Sequence, residues 1–439
     1  MTAGAAGELA RVVTEIYRRK GRILFDATLR YHEMARLRRP AGRRDPYPIY
    51  EELRRRGPWT TTRAPAIGVE DILVTTSYAR ARTVLRDRTF GVRPADPVEE
   101  QRVVALDLSF LDRDPPDHTR LRRLAAPAFG PRAIAGYEPL VRDVGRDLLE
   151  AALGRGQFDL VADFATPLPV AVITRMLGVD EAETATLARH GQAVAAAIDG
   201  IQSVWHLRRL LVATRDLDVM FARLIERRRV DPGEDVISTL VASLGADLDA
   251  TELRAMCWLL LLAGFETTVN LIGNATLALL AHPEQWSALR ADRGLAANAV
   301  EETLRWDPPV QQTARIAHRD TEVAGFAIPR GTWVVALLGA ANRDPELCPH
   351  PERFDLHRAE RPEHLSFSSG IHYCLGAPLA RLEGVVALEL LAEMAPDLRG
   401  AGPVRYRAAT TIRGPIRLPV ATGRPAPSAG AGLTASRRG

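Results

Sequence analysis

The sequence predicts a mainly α-helical protein with a small β region, folded as a single large domain. Long segments carry apolar residues at three- and four-residue steps, the spacing of a helix with one buried face. Stretches of alternating apolar and polar residues, which predict short strands, are few and clustered. No internal repeat is present, and no linker divides the body of the chain.

The predicted helices are the segments in which the three- and four-residue spacing continues longest. They cover residues 133–153, 180–198, 205–229, 250–281, 284–305 and 376–396. The predicted strands cover residues 71–76, 321–328, 331–338 and 412–420. Because Pro329, Arg330 and Gly331 favour a turn, we expect strands 321–328 and 331–338 to pair as a hairpin.

Composition indicates an ordinary folded protein from a reducing compartment. The chain has 439 residues, of which 46% are hydrophobic and 26% charged, within the usual range. Three cysteines, at positions 257, 348 and 374, are too few and too scattered for a disulfide framework. The longest apolar run, Met256 to Phe265, is shorter than the ~20 residues of a membrane span. We therefore expect a cytoplasmic protein without a membrane span or a secretory signal.

The two ends of the chain differ from its body. Residues 1–44 hold eleven Lys or Arg and four Asp or Glu, against a net charge of +4 for the whole chain. This basic extension could touch nucleic acid or a membrane surface, but we favour a solvated helical extension with no nucleic-acid partner. Residues 45–420 form the predicted domain, and the tail 421–439, rich in Gly, Ala, Pro and Ser, is predicted to be disordered.

The stretch FSSGIHYCLG, Phe367 to Gly376, is the most specific signal. Cys374 lies just before a predicted helix, where free amide groups and the helix dipole favour a thiolate. Gly370 and Gly376 would let a flat, bulky partner approach the backbone. A buried structural cysteine is the alternative for Cys374 alone, but the full pattern Phe-x-x-Gly-x-His-x-Cys-x-Gly is much more demanding.

A second signal is AGFETT, Ala263 to Thr268, inside the long helix 250–281. The Thr267 hydroxyl can donate to the carbonyl of Ala263 and bend the helix, and Gly264 leaves space beside the bend. The alternative is a polar kink in an ordinary core helix.

Together these stretches resemble the signature sequences of the cytochrome P450 monooxygenases, over roughly residues 45 to 420. The resemblance implies the cytochrome P450 fold, with haem b between the long central helix and the Cys374 loop. It identifies Cys374 as the thiolate ligand of the iron, Thr267 as the hydrogen-bond partner of dioxygen and Glu266 as the acid that feeds protons. It also implies that Ala263, Phe367, Gly370 and Gly376 line the haem.

The resemblance implies three further groups of residues. Partners for the haem propionates are His118, Arg122, Arg315 and His372. A structural ion-pair network consists of Glu302, Arg305 and Arg353. The substrate pocket draws on Leu106, Leu108, Leu259, Leu262, Val310 and Thr410.

The implied reaction inserts one oxygen atom from O₂ into a C–H or C=C bond of a medium-sized hydrophobic substrate, in secondary metabolism. Electrons would come from NAD(P)H through ferredoxin reductase and ferredoxin. Arg120 and Arg123, on the helix of His118, are expected to form a basic docking patch for the ferredoxin. The alternatives are a peroxide-using or isomerising relative and a non-enzymatic haem-thiolate sensor or carrier; Glu266 and Thr267 argue against both.

Overall fold

The computed structural model describes residues 36–64, 69–94, 107–195, 204–245, 247–360, 362–407 and 409–423. Leu106, the first 35 residues of the basic extension and the tail after residue 423 lie outside the described residues. The described helices are α1 (Pro40–Arg44), α2 (Tyr47–Arg55), α3 (Tyr78–Arg86), α4 (Asp117–Ala125), α5 (Pro131–Leu153), α6 (Pro167–Leu177), α7 (Glu181–Ala195), α8 (Val204–Val230), α9 (Val236–Val241), α10 (Ala250–Ala281), α11 (Pro283–Ala291), α12 (Ala296–Trp306), α13 (Leu338–Ala341) and α14 (Ala377–Met394). Helices therefore dominate, as predicted.

The described strands are short and form small sheets beside the helices. They are β1 (Thr60–Ala64), β2 (Val69–Thr75), β3 (Phe90–Gly91), β4 (Gln157–Asp159), β5 (Thr313–Ala317), β6 (Thr321–Val323), β7 (Phe326–Ile328), β8 (Trp333–Ala336), β9 (Arg399–Gly400), β10 (Arg405–Tyr406), β11 (Pro415–Arg417) and β12 (Pro419–Ala421). The largest sheet has the order β1-β2-β8-β5-β3, in which only β2 and β8 run parallel. A second sheet has the order β4-β12-β9, while β6–β7 and β10–β11 are antiparallel pairs.

Helix α10 forms the centre of the core. Asp249 caps its N-terminus by accepting hydrogen bonds from the amides of Thr251 and Glu252, and Glu252 bonds back to the amide of Asp249, a capping box. The helix is long and apolar enough to cross a membrane, but 83% of its most hydrophobic window is buried inside the protein. It packs against α6, α7, α12 and α14, so it is a core helix.

The predicted hairpin between residues 321–328 and 331–338 is wrong. The turn falls earlier, at Ala324 (φ 51°) and Gly325 (φ 77°), and it pairs β6 with β7. Two consecutive residues with positive φ give the tight turn whose twist suits a two-residue hairpin. Strand β8 instead joins the large sheet between β2 and β5.

The predicted helix 284–305 is also interrupted. Helix α11 ends at Ala291, and α12 begins at Ala296 after a short 3₁₀ turn, Arg293–Leu295. Asp292 causes the break because its side chain accepts a hydrogen bond from the amide of Gly294 at 2.9 Å, which starts a new turn.

Part of the N-terminal extension packs against the domain body. Leu37 is buried in a cluster with Leu53 of α2 and Val335 of β8. Arg36 forms an ion pair with Glu52 at 2.6 Å, and the carbonyl of Arg44 accepts a hydrogen bond from Arg413 at 2.9 Å. The ordered body therefore begins before residue 45.

Candidate active site

The Cys374 loop is held tightly against the rest of the protein. The amide of Cys374 donates to the carbonyl of Phe367 at 2.8 Å, and Phe367 is buried with the guanidinium of Arg381 4.6 Å from its ring centroid. Gly370 has φ 70°, and a side chain there would place its Cβ 2.5 Å from the carbonyl oxygen of Leu85 in α3. Only glycine fits at this position, so the sequence pattern has a local structural cause.

The sulfur of Cys374 lies just ahead of α14. Burial raises the pKa of the Cys374 thiol, while the amides of Gly376 and Ala377 and the guanidinium of Arg122 act in the opposite direction. The amides at the start of α14 therefore favour the thiolate, as expected, but desolvation by burial is the larger effect and raises the pKa. A bound metal cation reverses this balance, since a coordinating thiol loses its proton outright.

The middle of α10 has one open face. Ala263 is exposed and Gly264 and Thr267 are half-buried, although the residues around them are buried. These three positions share a helix face. As predicted, the Thr267 hydroxyl donates to the carbonyl of Ala263, at 3.2 Å. Gly264 does not leave empty space, because a Cβ there would lie 2.8 Å from the Ile173 side chain of α6.

Glu266 lies on a different side of α10 and is 2% exposed. Its carboxylate forms an ion pair with Arg407. Asn270 donates to the backbone carbonyl of Glu266 at 2.7 Å, and its amide nitrogen is 3.5 Å from the carboxylate. Glu266, the predicted acid, is thus next to Thr267 in the chain, but its partner Arg407 lies outside the stretch Ala263 to Thr268.

Four basic side chains predicted to hold propionates occupy α4, β5 and the Cys374 loop. The rings of His118 and His372 are 4.4 Å apart. Both ring nitrogens of His118 and the Nε2 of His372 are buried without a hydrogen-bond partner among the described residues. The Nε2 of His372 is 3.7 Å from the carboxylate of Asp114, too far for a hydrogen bond. Arg315 is also buried, and Arg122 donates to the carbonyl of Tyr373 at 2.6 Å.

The electrostatics of this basic cluster favour the binding of an anion. Burial, together with His372 and Arg122, lowers the pKa of His118 to about 4, and Asp114 only partly opposes the shift. Burial also lowers the pKa of Arg315 to about 10. Buried polar atoms normally have partners, so the unpaired nitrogens fit a dianionic group such as the two propionates of haem. The donor set of one thiol and four basic side chains fits haem.

The structural network contains a different third arginine from the one predicted. Arg305 donates from Nε and Nη2 to the two carboxylate oxygens of Glu302, each at 2.8 Å. Arg353 contributes only its backbone carbonyl, which accepts from Arg305 at 2.8 Å, and its side chain is exposed. The third guanidinium belongs to Arg358, 3.4 Å from Glu302. The prediction for the Arg353 side chain is wrong because spacing along the chain does not fix which arginine turns inward.

Sequence reasoning named several side chains for the substrate pocket. Leu108 and Val310 are half-buried, as is Thr410. Leu259 and Leu262 are buried in the core cluster of α10. Val310 forms an isolated antiparallel bridge with Ile412, which brings the turn containing Thr410 next to the chain after α12. Contact between these residues and a substrate remains a prediction.

The expected docking patch is altered by a contact of Arg120. Arg120 binds Glu252 at the start of α10, with its Nη2 2.5 Å from Oε1, and also contacts Asp117 at 3.2 Å. Arg120 is therefore part of a half-buried ion-pair cluster, whereas Arg123 is exposed and unpaired with that cluster.

Asp114, Arg358 and Arg407 were not singled out from the sequence. Asp114 accepts hydrogen bonds from the amides of Val92 and Arg93 and faces His372. Arg358 follows the Pro-Glu-Arg-Phe stretch closely, so a search of that loop for inward-turning arginines could have found it. Arg407 lies 141 residues from Glu266, and no local pattern marks the pair.

Comparison with known proteins agrees with this geometry. The family model "Cytochrome P450" matches residues 201–393. The cytochrome P450 monooxygenase PikC of Streptomyces venezuelae is 39% identical over 388 residues, covering 86% of this chain and 91% of PikC. The 6-deoxyerythronolide B hydroxylase of Saccharopolyspora erythraea is 37% identical over 398 residues, covering 86% and 96%.

A solved structure gives the same result for the fold. Ligand-free CYP164A2 from Mycobacterium smegmatis matches with a TM-score of 0.81 and 42% identity, covering 89% of this chain and 99% of that chain. The predicted fold class and the resemblance stated above are confirmed. This chain belongs to the cytochrome P450 family of oxidoreductases.

Proposed function

We propose that this protein is a haem-thiolate monooxygenase that inserts one oxygen atom from O₂ into a medium-sized hydrophobic molecule, by hydroxylation or epoxidation. The observation that carries the proposal is the pair His118 and His372 beside the Cys374 loop, whose buried ring nitrogens lack hydrogen-bond partners among the described residues. The open face of α10 at Ala263 and Thr267 supports a cavity for the haem and dioxygen.

When bound, the haem supplies the oxidising chemistry, with its potential and reactivity set by the thiolate. Cys374 would hold the iron, while His118, Arg122, Arg315 and His372 would bind the propionates. The Thr267 hydroxyl would be the hydrogen-bond partner on the dioxygen side, where its oxygen can accept while its one proton goes to the Ala263 carbonyl. The Glu266 carboxyl group would pass protons to that side of α10.

We propose that the substrate is a hydrophobic secondary metabolite such as a polyketide, a terpenoid or a peptide-derived compound. One relative is named for hydroxylating 6-deoxyerythronolide B. Apolar side chains predominate among the expected pocket residues, with Val310 and Leu108 half-buried and available for contact. Screening a compound library against the haem-loaded protein for shifts of the Soret band would identify the class of compound that binds.

Electrons would come from NAD(P)H through ferredoxin reductase and a small acidic ferredoxin, in the cytoplasm. We place the docking surface around the exposed Arg123, Arg86, Ile371 and Tyr373. Ile371 and Tyr373 belong to the Cys374 loop, and Arg86 ends the helix against which Gly370 packs. A basic surface next to the thiolate would raise the encounter rate with an acidic partner.

The test of the proposal is oxygen consumption by purified protein given NADPH, ferredoxin and ferredoxin reductase. The monooxygenase requires the electron donor for turnover. A peroxide-using or isomerising relative would turn over with peroxide or substrate alone and would show no turnover with O₂ and the electron donor. A sensor or carrier would consume no NADPH with any ferredoxin pair or ligand.

A further inference from the structure

Glu266 and Arg407 form an ion pair at the side of α10. The Glu266 carboxylate is 3% exposed, and the Arg407 side chain is 19% exposed. The Nη2 of Arg407 donates to Oε1 of Glu266. Because a buried carboxylate without a partner is strongly destabilising, Arg407 is the partner that this acid needs and fixes its position.

The backbone around Arg407 is fixed against the same helix. Strands β10 and β11 pair antiparallel, and the amide of Arg407 donates to the carbonyl of Gly414 at 3.3 Å. A side chain at Gly414 would collide with Asn270 of α10, and one at Gly273 would lie 2.7 Å from Pro415. This close packing leaves Arg407 little freedom to move away from Glu266.

The geometry gives the ion pair a use in the proposed proton relay. Consecutive residues of a helix point about 100° apart, so Glu266 and Thr267 face different directions. Thr267 faces the open side of α10, and Glu266 faces Arg407. The Glu266 carboxyl group can deliver a proton toward Thr267 only from a defined rotamer. Arg407 is the charged group that selects this rotamer.

The same segment contacts the turn expected to touch substrate. The amide of Gln311 donates to the carbonyl of Thr411 at 2.8 Å, and the Gln312 side chain is 3.3 Å from the Thr411 hydroxyl. Residues 405–417 therefore connect the acid on α10 with the turn near Thr410.

We propose that Arg407 is a positioning residue for proton delivery by Glu266, an inference that rests on the proposed monooxygenase function. Insertion of one oxygen atom from O₂ with two electrons takes up two protons per turnover and releases one water. Each proton passes from bulk solvent to the Glu266 carboxylate and on to the Thr267 side of α10, which returns the carboxylate to its starting form. Arg407 keeps its own protons and holds the carboxylate between these two transfers.

The kinetic test compares four variants in ferredoxin-driven NADPH oxidation, with dioxygen as the oxidant, in H₂O and D₂O. Arg407→Gln is expected to slow turnover about tenfold and to raise the solvent isotope effect, as Glu266→Gln does. Arg407→Lys is expected to restore most of the rate because it keeps the charge. Arg405→Gln, an exposed arginine two residues away in β10, is the matched control and should equal wild type.

The double variant gives the decisive comparison. If Arg407 acts through Glu266, the Arg407→Gln, Glu266→Gln protein is no slower than Glu266→Gln alone. The inference would be overturned if the rate losses of the two single variants multiplied in the double variant. Wild-type turnover by Arg407→Gln would overturn it as well. If Glu266→Gln itself turns over at the wild-type rate, the relay in the proposed function fails instead.

A readout independent of turnover is urea unfolding of the haem-loaded proteins. Each single glutamine variant is expected to have a lower urea midpoint, and the double variant to lose less than the two losses combined. Fully additive losses would contradict the ion pair. The Soret band of the reduced CO complex shows that each variant keeps its haem, so a folding defect is recognised separately.

Discussion

The Glu302 network shows how a few side chains hold the loop that follows α13. Glu302 and Arg305 are both buried, and the guanidinium of Arg305 also donates to the carbonyls of Pro351 and Arg353, each at 2.8 Å. Arg358 adds hydrogen bonds to the carbonyls of Pro349 and Arg353. The network thus fixes the loop after α13 by its backbone carbonyls.

This arrangement predicts a large loss of stability for replacement of Arg358 and almost none for replacement of Arg353. Arg358→Ala is expected to lower the free energy of unfolding by about 2–4 kcal/mol, because it leaves Glu302 and several carbonyls with fewer donors. Arg353→Ala is expected to change it by less than about 0.5 kcal/mol, because only the backbone of Arg353 takes part. Urea unfolding measures both, and a larger loss for Arg353→Ala would contradict the network.

Thr267 gives the second prediction at this scale. Thr267→Ala is expected to keep consuming NADPH but to release a larger share of the electrons as hydrogen peroxide, because the hydroxyl oxygen on the dioxygen side is lost. Glu266→Gln is expected mainly to slow turnover, since it removes a proton carrier. Product, peroxide and NADPH are measured together.

Thr276→Ala is the matched control for Thr267→Ala. The Thr276 hydroxyl makes the same bond to the carbonyl four residues earlier, at 2.8 Å, but Thr276 is buried. If Thr267→Ala and Glu266→Gln both turn over at the full rate without extra peroxide, this part of α10 does not take part in oxygen activation.

Residue roles were predictable from the sequence only where a local pattern carries them. The bond from Thr267 to Ala263 spans one helical turn, and the demand for glycine at position 370 arises from its own φ and the adjacent α3. Arg407 and Arg358 could not be assigned in this way. Their partners are distant in the sequence, and only the packing of loops decides which arginine turns inward.

At the scale of elements, the start of α10 is fixed to α4 by an ion-pair cluster. Arg113 and Arg120 both contact the carboxylate of Glu252, at 3.2 and 2.5 Å. The Arg120 guanidinium holds the pKa of Glu252 at about 2, with help from the amide of Asp249 and from Arg113. This contact ties the helix of Thr267 to the helix of His118.

We expect Glu252→Gln to lower the free energy of unfolding by about 1–2 kcal/mol at pH 7. The folded-state pKa of Glu252 is depressed, so its contribution is fully present above the ordinary glutamate pKa of 4.5 and is lost as the pH falls toward 2. The difference between wild type and variant should therefore shrink below pH 4.5.

Glu284→Gln is the control for this effect. Glu284 lies in the first turn of α11 and is exposed, so its replacement should change stability by less than about 0.5 kcal/mol. Urea unfolding at several pH values measures both variants. A wild-type minus Glu252→Gln difference that grows below pH 4.5 would contradict the assigned contact.

The elements themselves were predictable in proportion to their length. Helix α10 was predicted with its observed ends because its apolar spacing continues over thirty-two residues. The hairpin was predicted wrongly for a different reason. Its turn is formed by Ala324 and Gly325, both with positive φ, and an alanine in the sequence does not indicate a positive φ. Strands of two or three residues, such as β3 and β10, contain too few positions for any period to show.

For the whole molecule, the proposed surface for ferredoxin depends on exposed charge beside the Cys374 loop. Arg123→Glu is expected to lower ferredoxin-driven turnover several-fold at low ionic strength and less at high salt, because exposed charges are screened. Peroxide-driven oxidation should stay unchanged. Stopped-flow reduction of the haem protein by ferredoxin measures the effect.

Arg223→Glu provides the matched control for this surface. Arg223 is an exposed arginine on α8, a helix that packs against α7, α9 and α10. If Arg123→Glu and Arg223→Glu lower ferredoxin-driven turnover equally, the net charge of the protein controls the encounter with ferredoxin. That result would contradict a docking surface at Arg123.

The central claim is that Cys374 binds haem iron as a thiolate, and the reduced CO complex tests it most directly. Wild-type protein is expected to show the strongly red-shifted Soret band of thiolate ligation, as are Cys257→Ser and Cys348→Ser, whose cysteines are buried elsewhere. Cys374→Ser is expected to lose that band or to bind no haem. A red-shifted band that survives in Cys374→Ser would contradict the account.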